Sequence, residues 1–508
     1  MKFHAPVDHG TWLCHPELGK WRDLLLSNTQ LVQKYPDKIK KIRSLFQMEA
    51  KFGSDPVIMT GHQPDWFHPG VWAKNFLVHH LGKISGGSAV NCVIDTDVPK
   101  SFAWVIPASP KGDLPSGSIS IPFMFFADRF APWELQASVP ISDFSQSLRK
   151  AIKVCRAWGY EPIASSFLDD IQADDVSGNA ARQFSFIRRN AETKRGVFLK
   201  DHFISHFFSF KAIYQLLFLF INEIEASCFH YNRSIDIFRN EHCVRRFGSP
   251  IPLLEQNNEW FETPLWIYSI TFPERSRLWI KRLGNELYVK SGNGVISDQF
   301  NCSNPDDLFS YFQKKSECGI YIRTRALMTS LILRLLASDL FVHGLGGSLY
   351  DQMTDRWIRG WLGVELPVSM TCSMTARLPL PKPRHTSREI NQLRIELRKI
   401  QWHGETVRNE SADQEMFRRF CQEKRQLIIW NPTDRVGKKE RFRAFRLLNQ
   451  KILDSHALLE RNLLKTLDWA HLWIRDEKLI TSREFPWILY PAKEIERIMM
   501  NMVAEISE

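Results

Sequence analysis

The chain has 508 residues, 44% hydrophobic and 24% charged, which is enough apolar material for a sizeable core and excludes a disordered or fibrous class. Its 67 Lys and Arg against 56 Asp and Glu give a formal net charge of +11. That balance suits anionic partners such as nucleotides, although widely spread basic residues also solvate long helices. Nine Cys include no CxxC pair, Met1–Pro6 contains no apolar signal core, and the most apolar run lies near residues 214–221. The expectation is a cytoplasmic protein with reduced thiols and no membrane span.

Residues 21–33 and 39–51 carry apolar side chains at helical spacing, so residues 1–50 read as a helical lead-in. Residues 56–60 read as a short buried strand, followed by a Pro-containing turn, a helix over 71–81 and a strand over 89–94. This β-α-β order predicts an α/β fold with a parallel sheet and ligand chemistry at the carboxyl ends of its strands. Residues 107–130, rich in Pro, Gly and Ser, read as an extended excursion, and 141–245 as a helical connecting segment. Strand-like stretches at 266–270, 278–280 and 286–289, with a turn at Gly284-Asn285, predict a small β-rich insertion over 246–315. Over 316–385 the pattern predicts a strand at 320–322, a helix at 326–337, a Gly-rich loop at 341–350, a helix at 351–361 and a strand within 367–380. Residues 386–475 are dense in Leu, Ile, Arg, Lys and Glu, and Pro432 and Gly437 divide them. Two long helices in an antiparallel hairpin or coiled coil are expected there, with a C-terminal tail over 476–508.

Four constellations of reactive side chains fall at predicted strand ends. The first is Gly61-His62-Gln63-Pro64 with His68, Gly70, Lys74 and Asn75. A glycine after a strand lets a ligand approach the backbone, and the following helix N-terminus suits phosphate or carboxylate. His62 and His68 can donate to phosphoryl oxygens or act as acid and base, while Lys74 neutralises an anion. A capped Pro-rich turn would use the same residue types. The second, Asp95-Thr96-Asp97, can hold an amine, a ribose hydroxyl or Mg²⁺, or cap a helix. The third is His343-Gly344-Leu345-Gly346-Gly347 with Tyr350, Asp351 and Asp355; its glycines permit positive φ and an anion-binding nest. Thr324-Arg325 upstream adds an anion contact or simply an exposed arginine. The fourth is Ser373, Thr375 and Arg377, late in a strand, where edge packing is an equal explanation. His202 and His206 have i, i+4 spacing but lack a matching Glu, so no metal site is expected.

In this order the motifs resemble those of the bacillithiol-biosynthesis cysteine-adding enzymes. There a GQQ-type motif with a downstream Gly-Pro and Lys stands where this chain has Gly61–Pro64, His68–Gly70 and Lys74. An EDHD-type motif stands at Asp95-Thr96-Asp97, and a Gly-Gly-Pro segment with a later Tyr stands at Gly346-Gly347-Ser348 and Tyr350. The resemblance implies a Rossmann-like, class I nucleotidyltransferase-like core formed by residues 1–140 and 316–385, and a C-terminal coiled coil that forms a homodimer. It implies a ligase- or transferase-type enzyme joining an amine-bearing small molecule, a cysteine-like amino acid or amino sugar, to an acceptor, with ATP or another nucleotide as cofactor. His62, Gln63, His68 and Lys74 would then line the phosphate or substrate pocket, and Asp95 and Asp97 would orient the amine or sugar. The first motif is also similar to that of the WbqC-like proteins of polysaccharide loci, which implies a sugar- or nucleotide-binding role. A third expectation is a non-catalytic scaffold using the basic helical hairpin. Nucleic acid is not an expected partner.

Overall fold

In the computed structural model, which describes residues 3–111, 114–115, 117–125, 127–168, 178–243, 251–380, 387–407 and 414–506, the chain is α/β, with a mostly parallel sheet and an antiparallel one. It divides into two units, Met1–Ile106 with Ile119–Leu378 and Arg483–Glu508, and Pro107–Ser118 with Pro379–Ser482.

The first unit begins with β1 (Thr11–His15), α1 (Trp21–Gln33), α2 (Asp37–Glu49), β2 (Val57–His62), α3 (Pro69–Ser85) and β3 (Ser88–Val93). Then come α4 (Ile141–Ala157), α5 (Ala180–Thr193), β4 (Lys200–Phe203), α6 (Lys211–Asn222) and α7 (Ile224–Glu241). An antiparallel run follows: β5 (Trp260–Ser269), β6 (Ser276–Leu283), β7 (Glu286–Ser291) and β8 (Ser297–Asn301). After it come α8 (Pro305–Glu317), β9 (Ile320–Thr324) and α9 (Ala326–Leu331), which runs on as a π-helix over Ile332–Ala337. The last core elements are β10 (Leu340–His343), α10 (Leu345–Leu362) and β11 (Met370–Thr375).

The main sheet has the order β1-β11-β10-β2-β3-β4, with β1 antiparallel to β11 and the other pairs parallel. Read by chain order, the parallel strands lie third, second, first, fourth, fifth, so the progression reverses between β2 and β10. Val57, Ile58, Met59 and Thr60 are all buried, the continuous pattern of a strand covered on both faces. Val57, Met59, Val90, Cys92 and Phe341 enter the cluster that holds Phe46 of α2 and Phe220 of α6. Alternate residues face the other way, toward α3, which packs across β2, β3 and β11 and against the helix Ala492–Ala504. Covered on both sides, α3 is buried almost all round: Trp72 through Val78 are at most 4% exposed. Its start is local chemistry, with the His68 side chain accepting from Gly70 N at 3.0 Å and Pro69 in the first turn. Gly70 admits a close approach, because a Cβ there would lie 2.5 Å from Met374 O of β11.

The second sheet has the order β8-β7-β6-β5-β9. Leu278, Ile280, Leu287 and Val289 alternate inward and share a core with Leu217 and Phe220 of α6 and Leu308 and Phe312 of α8. Gly284, at φ +59°, turns the β6–β7 hairpin.

Several elements differ from the pattern-based expectation. The helical lead-in contains β1, and the helical stretch 141–245 contains β4; both are short strands held by their sheet neighbours. β9 pairs with β5 and so belongs to the antiparallel sheet, not to the parallel core. The Gly-rich segment is no loop: β10 runs through Gly344 straight into α10, and none of Gly344, Gly346 and Gly347 takes a positive φ. The expected tail builds core, since Trp487 is buried with its ring 4.5 Å from Trp72, and Ile495, Ile498, Met499 and Met502 are buried with it.

Among the described residues the second unit contains four α-helices where two long helices were expected: α11 (Ser387–His403), α12 (Gln414–Ile429), α13 (Arg435–Ser455) and α14 (Ala457–Ile480). α11 packs on α14, and α12 on α13. Asp434 caps α13, accepting from Gly437 N at 2.7 Å, so the break near Pro432 has a local cause. A further break at His456 is tertiary: its Nε2 lies 3.2 Å from Val407 O, in the turn after α11. Among the described residues no single helix is long and apolar enough to cross a membrane; α6 and α7 would qualify together but are bent by 90°.

Candidate functional site

Where strand order reverses, the loops leaving neighbouring strands diverge and open a crevice at the carboxyl edge. A cavity of about 570 Å³ lies there. Gly61, the penultimate residue of β2, lies on its wall, Thr96 and Asp97 follow β3, and His343 ends β10. The facing wall comes from the antiparallel sheet and α9, through Trp266, Arg275, Thr324 and Arg325.

Arg325 supplies the cationic side. It is 4% exposed, and its Nη1 donates to Glu262 Oε1 at 2.5 Å and to Thr263 O at 3.4 Å. Glu262 is itself fully buried. The guanidinium lies 4.5 Å from the Trp266 ring centroid, which holds it by a cation–π contact, and its buried Nη2 has no hydrogen-bond partner among the described residues. Arg275 lies 5.1 Å from the same ring and pairs with Asp97 Oδ1 at 2.5 Å. Gln63 Nε2 donates to the other oxygen of Asp97.

The wall formed by β10 and α10 carries a chain of charges, buried at His343, Asp351 and Arg334 and half-buried at Asp355. His343 Nε2 lies 2.8 Å from Asp351 Oδ2. Arg334, in the π-helical segment, donates to Asp351 and, at 2.6 Å, to Asp355 Oδ1. Burial alone would raise the Asp351 carboxyl, but Arg334 and then His343 hold it well below the usual carboxylate range. α10 begins at this wall with Gly344 as N-cap and no side-chain cap, so its first-turn N–H groups add a positive dipole end. Glycine is required at 347, where a Cβ would sit 2.9 Å from His343 Nδ1, whereas Gly344 and Gly346 face open space.

Of the expected site residues, Gly61, Asp97, Thr324, Arg325, His343 and Gly347 line this cavity. Thr324 Oγ1 is 2.7 Å from Thr329 Oγ1. His62, Lys74 and Asn75 lie on or against α3, and Asp95 lies beyond β3 against the residues that follow β4. His62 packs edge-on against Phe67, with Nδ1 3.0 Å from Gln63 O; burial, then Lys74 and Arg188, pushes its imidazole well below the ordinary value. Lys74 donates to Gly61 O at 3.0 Å, and burial pushes its ammonium down to about 8. Asn75 donates to Glu192 at 2.6 Å. Asp95 accepts from Ser205 N at 2.9 Å and from the Ser205 hydroxyl, and burial, then Glu134, pushes it up to about 7.

A third group surrounds Arg483, which sequence reasoning missed. Its guanidinium reaches Ser373 Oγ at 3.0 Å, Thr375 Oγ1 at 3.1 Å and His68 Nδ1 at 3.4 Å. Burial, then Arg483, pushes His68 down to about 3. Arg377 bonds Val7 O at 2.6 Å through its side chain and His9 Nδ1 at 2.9 Å through its backbone N–H. Tyr350 packs 6.0 Å from Phe238. Sequence reasoning also missed Trp266, Arg275, Glu262 and Arg334; only Arg334 carried a signal, as a single charge within the apolar run 331–337. Among the described residues no group of three or more His, Cys, Asp or Glu side chains is placed to hold a metal ion. No protein-family model and no curated protein matches the chain.

Proposed function

We propose that the cavity binds a phosphate- or carboxylate-bearing small molecule, with ATP as the first candidate, and that the chain is a ligase- or transferase-type enzyme resembling the cysteine-adding enzymes. One observation carries this reading: Arg325, whose buried Nη2 has no hydrogen-bond partner among the described residues, lines a cavity on the carboxyl edge, where strand order reverses. An unpaired buried donor on a charged group costs about 1–3 kcal/mol or more, and an anionic ligand supplies the missing acceptor. The strand order supports a Rossmann-like core, in which this crevice is the customary ligand site. Asp97, on the cavity wall beside Arg275, is the carboxylate that a substrate amine reaches by exchange with the guanidinium. His62, His68 and Lys74 enter the reading as the frame around β2 and α3, and Asp95 as a buried contact to Ser205. The nine free thiols fit a reducing, cytoplasmic setting.

Calorimetric titration of ATP into the full chain and into Arg325→Gln tests the reading. The expected result is at least a tenfold loss of affinity in the variant. An unchanged affinity, or no binding of ATP, pyrophosphate or cysteine to the wild type, refutes it. A homodimer through the helical unit completes the proposal, because Ile428, Ile429, Val436, Leu447 and Leu458 are exposed there. A monomeric full chain in analytical ultracentrifugation would sink that part.

A further inference from the structure

We propose that His343 is the proton acceptor of this cavity and that Asp351 and Arg334 are the positioning residues that set it to that task. The inference rests on the reading that the cavity takes a small anionic ligand, and it narrows the class: the ligand also carries an N–H or O–H group that gives up its proton.

Asp351 is 3% exposed and accepts from Arg334, whose guanidinium is itself buried. A carboxylate kept ionised by that partner has no proton to donate, so the hydrogen on the 2.8 Å contact belongs to His343 Nε2. In its neutral form the imidazole therefore carries its lone pair on Nδ1. Nδ1 lies on the Gly347 side of the ring, and both residues line the cavity. The ring's hydrogen bond to Asp351 runs through Nε2, and a Cβ at position 347 would sit 2.9 Å from Nδ1, so the glycine leaves that nitrogen uncrowded. The charged groups around the ring are Asp351, Asp355 and Arg334, with Arg325 and the Arg275–Asp97 pair on the cavity wall; the Phe341 ring lies 4.5 Å from it. With an anion on Arg325, a protic group of the same ligand can reach Nδ1. The N–H or O–H bond then breaks, its electron pair stays on the ligand atom, and the imidazolium formed is stabilised by Asp351.

Alkylation of the full-length protein with bromoacetate and with neutral bromoacetamide, followed by peptide mapping, tests this. The Nδ1 lone pair attacks the methylene carbon, an N–C bond forms, the C–Br bond breaks and bromide leaves. The expected product is His343 modified at Nδ1 by both reagents, at least tenfold faster than the exposed His403, with Arg325→Gln slowing bromoacetate alone. Modification of His343 by bromoacetamide without any preference for bromoacetate would support the acceptor while removing the anion reading. No modification of His343 by either reagent, or modification at Nε2, overturns the proposal. In Asp351→Asn the label should shift toward Nε2, a change of site that a merely structural role would not produce; unchanged labelling at Nδ1 would remove Asp351 from the proposal. If that variant does not fold, the site of labelling in the wild type carries the test.

Discussion

Replacing Lys74 by Met should stabilise this protein at pH 7. Lys74 is 3% exposed on α3, and among the described residues its side chain hydrogen-bonds Gly61 O at 3.0 Å. Burial lowers its ammonium from 10.5 to about 8, which sets about 3 kcal/mol against the folded, charged form. Methionine fills a similar volume without the charge, and the lost hydrogen bond offsets about 1 kcal/mol. The net expectation is a gain of about 2 kcal/mol at pH 7. Between about pH 8 and 10.5 the unfolded chain keeps a proton on Lys74 that the folded chain has released. The wild type therefore gains stability as pH rises through that window, Lys74→Met does not, and the advantage of the variant fades to about zero near pH 10. Urea denaturation of both proteins at pH 7 and pH 10 measures this. A variant less stable than wild type at both values, by the same amount, would refute the reasoning.

Gly70→Ala should cost about 2–3 kcal/mol, because the new Cβ would meet Met374 O at 2.5 Å and α3 would have to lift from β11; thermal denaturation within a degree of wild type would disprove that packing. Asp95, pushed up to about 7 by burial and Glu134, contributes stability that is complete below its unfolded value near 3.8 and is lost as pH rises through 7. Asp95→Asn should therefore shrink the fall in urea midpoint between pH 4.5 and 7.5, by about 3 kcal/mol of unfolding free energy; an identical pH profile for the two proteins would contradict this.

What the sequence determined by itself was the set of elements with local causes. The buried run of β2, the His68-Pro69 start of α3, the β6–β7 turn at Gly284 and the Asp434 cap each draw on residues within a few positions of one another. β1 and β4 carried no such signal, because short strands exist only by pairing with partners far away in the chain. The site was legible as a region, the carboxyl ends of β2, β3 and β10, and not as a list of contacts. Tertiary structure decided those for two physical reasons. Neighbouring strand residues point to opposite faces, so Gly61 meets the cavity while His62 turns toward Lys74 and Asn75 of α3. And Trp266, Arg275 and Arg325 reach the same cavity from an antiparallel sheet about two hundred residues further along, an approach that only the pairing of β9 with β5 sets up.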